Sequence, residues 1–193
     1  MIRISFILWA LMLVTWCAMR YPAMRRARRQ KTAVDKRTPL DISLLVFCTI
    51  GLVVMPIVWR LGIFNGVADR GQGMLTIVLG IVSGIAFLWL FRRSHKDLGK
   101  NWSVTLEVRE GHQLVTGGVY AHVRHPMYAS FLLWGVTQAL LIPNWIAGLA
   151  GLIAVMALYA LRQSREEAMM RDTFGVEYDA YCARTKRLIP GIF

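Results

Sequence analysis

The chain is short of charge, of acidic residues and of cysteine. Only 18% of its 193 residues are Asp, Glu, Lys or Arg, against about a quarter in soluble domains. Long apolar runs take their place, and 56% of the residues are hydrophobic. That balance excludes a disordered chain and points to a membrane protein. Three scattered cysteines, Cys17, Cys48 and Cys182, form no CxxC or Cys/His cluster, so neither a disulfide framework nor a metal site is expected. No GxGxxG follows a strand-like segment and no P-loop occurs, which leaves a Rossmann-type nucleotide site unsupported.

What is present is five apolar runs: Ile4–Met19, Ile42–Trp59, Met74–Phe91, Met127–Ile142 and Trp145–Leu161. An 18-residue run makes a helix of about 27 Å, close to the roughly 30 Å of a hydrocarbon core. The first run resembles a signal peptide in length, but a dense basic cluster follows it and no A-x-A pattern does. A retained helix is expected. Pro143-Asn144 separates the last two runs, which predicts a tight helical hairpin. The fold expected is therefore an all-α integral membrane protein of about five transmembrane helices. Residues 1–193 are read as one membrane-embedded domain, with three membrane helices in 1–91 and the polar, chemistry-bearing region in 92–193.

Basic residues outnumber acidic ones by 23 to 11, a net charge of +12. Their placement gives an orientation. Segment 20–37 holds eight Lys or Arg, segment 92–126 six and the tail from 162 six, whereas Arg3, Arg60 and Arg70 are the remaining three. With five spans the three rich segments share one side, which predicts an outside N-terminus and cytosolic polar segments in an inner or plasma membrane. The Arg20–Arg37 cluster then lies against anionic lipid. Only Tyr21 interrupts its charges with an aromatic ring, so membrane lipids rather than nucleic acid are the expected partner.

Polar residues gather in two stretches, His95–Tyr128 and Arg162–Phe193. In the first, Val104–Val108 reads as a short extended segment, Glu110-Gly111 and Thr116-Gly117-Gly118 as turns, and Gly117 and Gly118 as places for close backbone approach to a ligand. Arg124-His125-Pro126-Met127-Tyr128 opens the fourth run, with Pro126 at the first helical position. Free N–H groups there suit an anion, with Arg124 and His125 beside them. The competing reading is an interfacial cap with snorkelling Arg and Tyr. In the second stretch, Arg162 and Glu166 are four apart on one helix face. Met169, Met170, Phe174, Tyr178 and Tyr181 outline a C-terminal amphipathic helix, interrupted at Gly175.

Three blocks together carry a resemblance: GHQLVTGGVY at 111–120, RHPMY at 124–128 and REEAMMRDTFGVEYDAY at 165–181. The set is similar to isoprenylcysteine carboxyl methyltransferases, over roughly residues 95–193, and HKDLGKNWS at 95–103 resembles the short prokaryotic members. The resemblance implies a membrane enzyme that uses S-adenosylmethionine to methylate the carboxylate of an isoprenylcysteine-like acceptor entering from the bilayer. It implies cofactor contacts from His112, Gln113, Leu114, Val115, Tyr120, His125, Pro126, Met127, Tyr128 and Glu166, with Arg162 placed at the substrate. Of the family's longer acidic run only Glu166 and Glu167 remain as candidates for the cofactor contact, and spacing back from Phe174-Gly175 favours Glu166. RHPxY alone also occurs in phospholipid N-methyltransferases and sterol reductases. The alternatives are thus a methyltransferase for another lipophilic acceptor such as a phospholipid amine, a nicotinamide-dependent reductase, or a non-enzymatic membrane scaffold.

Overall fold

A helix satisfies its backbone groups within one segment, as a hydrocarbon core demands, and the apolar runs are helical. The computed structural model describes residues 2–27, 32–35, 38–63, 66–103, 107–109 and 111–192. Helix α1 spans Ile2–Ala27, α2 Pro39–Thr49, α3 Met55–Arg60, α4 Met74–Leu98, α5 Pro126–Leu141, α6 Trp145–Phe174 and α7 Val176–Arg184. Among the described residues four helical stretches are long and apolar enough to cross a membrane: Arg3–Ala27, Pro39–Arg60, Met74–Asn101 and Trp145–Phe174. Helix α5, with 16 residues, is shorter and packs as the hairpin partner of α6.

The second span is one rod because α2 and α3 are joined by a π-helical turn, Ile50–Val54. In that wider register the Gly51 carbonyl would look to residue 56 for a donor, and Pro56 has no N–H. The buried Gln138 of α5 supplies it, its Nε2 donating to Gly51 O at 2.9 Å and to Ala147 O at 2.7 Å. The same turn brings α6 close. A Cβ on Gly51 would sit 2.6 Å from the Ala150 carbonyl oxygen, so only glycine permits this approach.

The hairpin forms at Pro143-Asn144, where the sequence placed it. Asn144 caps α6 by accepting from the Ala147 N–H at 2.9 Å. Its Nδ2 donates to Val67 O and Asp69 Oδ1, both at 2.7 Å. Asp69 also accepts from Trp59 Nε1 and the Gly66 N–H, each at 2.8 Å. Ser5 near the start of α1 donates to Gln72 at 2.8 Å. One end of the bundle is thus built from the hairpin bend, the loop after α3 and the start of α1.

The opposite end collects the described parts of the three basic segments. Arg20 stacks over Trp16 and Trp102, 5.3 and 5.5 Å from the ring centroids. A two-stranded antiparallel pair joins β1 (Thr32–Asp35) to β2 (Glu107–Arg109). Of the extended segment expected at 104–108, residues 104–106 lie outside the described residues, as does Glu110 of the expected turn; β1 was not anticipated. The start of α2 is tied to α6 by a two-point fork, Arg165 Nη1 to Asp41 Oδ1 at 3.1 Å and Nη2 to Oδ2 at 3.2 Å. Helix α1 runs two turns beyond the predicted Met19, through Pro22. Its buried Ala23 and Ala27 pack with Trp102, and Arg25 and Arg26 suit the negative end of its dipole. Helix α6 likewise continues well past Leu161, and Gly175, at φ +53°, separates it from α7.

Candidate functional site

Pro126 starts α5, as its locked φ and missing N–H favour. The turn before it is held by the end of the chain: Arg124 N–H donates to Lys186 O at 2.7 Å and His125 N–H to Arg187 O at 2.9 Å. Beneath this turn lies Glu167, only 2% exposed. Its Oε1 accepts from Arg124 Nε and Nη2 at 3.3 and 3.2 Å, meets His125 Nε2 at 3.1 Å and accepts from Arg187 Nε at 3.2 Å. Arg187 Nη2 reaches Oε2 at 3.1 Å. Arg124 Nη1 donates in addition to the carbonyls of Cys182 and Thr185. The Arg124 guanidinium, which the sequence offered to an incoming anion, is therefore engaged in fastening this turn to α6 and to the segment after α7.

Beside the clamp opens a cavity of about 400 Å³. All eleven residues to which the resemblance assigned a donor or substrate contact border it: His112, Gln113, Leu114, Val115, Tyr120, His125, Pro126, Met127, Tyr128, Arg162 and Glu166. Glu167, one position on, faces the clamp instead. Helix α6 orders the lining: Val155 and Leu158 lie toward the bundle interior, Arg162 one turn further, then Glu166, Met169 and Met170. The cavity is apolar at depth and charged near the end of the bundle.

Glu166 and Arg162 stand at that junction. The Arg162 side chain, with the residue 7% exposed, places Nε 4.0 Å from Glu166 Oε2. Tyr128 donates its hydroxyl to the same oxygen at 2.9 Å, and His125 Nδ1 lies 3.9 Å from Oε1. Glu166 keeps 31% of its side chain open, so it retains acceptor capacity toward the cavity. Tyr120 is tied down through its carbonyl, which accepts from Tyr181 Oη at 2.6 Å. Burial, with the nearby charge of Glu166 adding to it, pushes the Tyr120 phenol well above its ordinary value, so the ring faces the site neutral.

The glycines at 117–118 serve a different purpose from the one the sequence suggested. Gly118 has φ +62°, and a Cβ there would sit 2.1 Å from Asp97 Oδ2. The close approach is to the Asp97 carboxylate, which also accepts from the Val119 N–H at 2.9 Å; neither glycine borders the cavity.

Sequence reasoning missed the apolar half of the lining. Leu45, Cys48, Thr49, Leu52 and Val53 supply one wall, at helical i, i+3, i+4, i+7 and i+8 spacing. Trp16, Phe131 and Trp134 supply another, with Trp16 edge-on to Trp134 at 5.1 Å and to Phe131 at 6.1 Å. The helical spacing was readable, but in an apolar helix it has no polar face to contrast with.

The sequence model of the Isoprenylcysteine carboxyl methyltransferase (ICMT) family matches residues 76–172, a segment that contains all eleven of these site residues. Protein-S-isoprenylcysteine O-methyltransferase B of Arabidopsis thaliana is 34% identical over 120 residues, 61% of this chain and 57% of that protein. Protein-S-isoprenylcysteine O-methyltransferase of Homo sapiens is 34% identical over 92 residues, 48% of this chain and 32% of that one. Among solved structures, a eukaryotic intramembrane Ras methyltransferase, ICMT, superposes with a TM-score of 0.53 at 25% identity, covering 82% of this chain and 55% of that chain. The chain spans little more than half the length of the Arabidopsis relative.

Proposed function

Because the chain belongs to the isoprenylcysteine carboxyl methyltransferase family, we propose that it is a membrane methyltransferase acting on the carboxylate of an isoprenylcysteine-like lipophilic acceptor. S-adenosylmethionine is the proposed donor. One observation carries the reading: a single cavity joins an apolar channel between helices to a charged end, with Arg162 at the junction and Glu166 one turn beyond. A lipid-modified acid needs both halves of such a cavity. A phospholipid amine would have no use for a buried guanidinium at the meeting point.

The residues present fit the proposed donor. A sulfonium and an ammonium call for a carboxylate and aromatic faces, which Glu166, Tyr120 and Tyr128 provide at the cavity wall. Bound there, S-adenosylmethionine would supply an electrophilic methyl group. Glu166, oriented by the Tyr128 hydroxyl, accepts hydrogen bonds from the donor's ammonium or ribose. Arg162 presents a planar fork to the acceptor carboxylate. No general base is required, because a carboxylic acid is already ionised near neutral pH. The apolar wall excludes water and leaves in-line positioning as the main contribution of the protein to rate.

Glu166→Ala tests the donor half. Loss of one charged hydrogen bond costs roughly 1.5–3 kcal/mol, so S-adenosylhomocysteine should bind about 10- to 150-fold more weakly by calorimetry while the protein remains folded. Unchanged affinity would remove Glu166 from the donor site.

In the same reading the cavity end faces the cytosol, which the bias of Lys and Arg supports. A cysteine at Lys100 should react with an impermeant thiol reagent only from the cytosolic side, and one at Leu61 only from the other. The reverse pattern would invert the proposed topology.

A further inference from the structure

A second cleft lies between α1 and α4, on the outer side of the bundle from the methyltransferase cavity, with Thr15, Ala18, Met19 and Phe91 along its inner part. Arg26, Arg92, Lys96 and Lys100 surround its polar end. All four are exposed, and no Asp or Glu is among the described residues that line the cleft. One polar side chain deeper in it also carries an unpartnered ring nitrogen. His95 is 7% exposed, its Nδ1 donates to the Phe91 carbonyl at 3.0 Å, and its Nε2 has no hydrogen-bond partner among the described residues. Pro22, which borders the cleft from within α1, offers no N–H to the Ala18 carbonyl one turn before it.

An apolar track that opens into a ring of four cations at the end of two membrane-spanning helices has the polarity of an acidic phospholipid, acyl chain inward and phosphate outward. We propose that this cleft binds one acidic glycerophospholipid. The phosphodiester sits among Arg26, Arg92, Lys96 and Lys100. The first part of an acyl chain lies along Thr15, Ala18 and Met19, and a polar group of the glycerol region reaches His95. The bound lipid then fills the seam between α1 and α4 at the level where Arg20 of α1 meets the methyltransferase cavity. The inference does not depend on the proposed reaction.

The test uses the full chain purified in neutral detergent and read by native mass spectrometry after titration with phosphatidylglycerol or phosphatidylcholine of identical acyl chains. Wild type should retain one phosphatidylglycerol in preference to phosphatidylcholine. Removing three cations in Arg92→Gln/Lys96→Gln/Lys100→Gln should weaken that retention on the order of a hundredfold, taking about 1 kcal/mol for each basic residue near the surface. The equally neutralised Arg25→Gln/Arg184→Gln/Lys186→Gln, with none of its positions in the cleft, should retain the lipid as wild type does. Ala18→Phe, which leaves the charge intact and blocks the apolar track, should also lose it. Equal loss in both triple variants, retention in Ala18→Phe, or equal retention of phosphatidylcholine would each overturn the proposal. Displacement of the lipid by millimolar inorganic phosphate would overturn it too, by making the site one for a free anion.

Discussion

Replacing Arg162 by alanine should lower turnover of a carboxylate acceptor by at least about a hundredfold, since loss of near-attack geometry alone costs this much. Cofactor affinity should change little, because Glu166 and the 112–128 segment remain. Arg162→Lys should not restore the rate. A lysine ammonium is a point charge on a flexible stem, whereas the guanidinium offers two parallel N–H groups to one carboxylate. The position adds a second reason. Arg162 is buried, with Leu158 one turn deeper and Glu166 one turn above, and a shorter cation would retreat toward Glu166. The informative measurement is a matched pair, S-adenosylhomocysteine binding and methyl transfer, on wild type and both variants. Near-normal transfer in Arg162→Ala would reduce Arg162 to an ion-pair partner of Glu166 and move the acceptor carboxylate elsewhere.

Glu167→Ala should be the most destabilising single change near the site. It would leave the guanidiniums of Arg124 and Arg187 and the ring of His125 around an empty space where they now share one buried carboxylate. Breaking a buried ion pair from one side costs roughly 3–5 kcal/mol. For a chain of this size that corresponds to a fall in unfolding midpoint of roughly 6–20 °C, measurable by thermal melting in detergent. Glu167→Gln keeps an acceptor oxygen and should lose less. Cofactor affinity should fall with stability in the alanine variant, because the clamp fixes the turn that carries His125 and Pro126. An unshifted midpoint would show that the backbone contacts to Lys186 and Arg187 hold the turn without the carboxylate.

The comparison between Glu166 and Glu167 shows how far the sequence could be read. Adjacent glutamates on a helix point about 100° apart, so one faces the cavity and the other the clamp. Spacing from Phe174-Gly175 favoured Glu166 over Glu167 for the donor contact, and of the two it is Glu166 that borders the cavity. The role of Glu167 depends on Arg187, twenty residues on, whose chain returns past α5 only because Gly175 turns α7 back along α6. No local pattern announces that. The helical hairpin was legible because Pro143-Asn144 carries its own turn chemistry. The π turn at Ile50–Val54 was not, since it needs Gln138 from another helix to satisfy the Gly51 carbonyl. The strand β1 was hidden for a related reason: four residues in a basic stretch become extended only through pairing with β2. The extra turns of α1 were hidden by Arg20, which reads as the end of an apolar run but lies against Trp16 and Trp102.

In the proposed reaction one cavity brings a methyl donor to a lipophilic carboxylate. The direct measurement is transfer of label from methyl-labelled S-adenosylmethionine to an S-farnesylated cysteine derivative with a free carboxylate, beside the same compound as its carboxamide. Base-labile label in the carboxylate compound and none in the carboxamide is the result predicted. Label appearing instead in an amine-bearing phospholipid, or no transfer to any prenylated carboxylate by protein that binds S-adenosylhomocysteine, would contradict it.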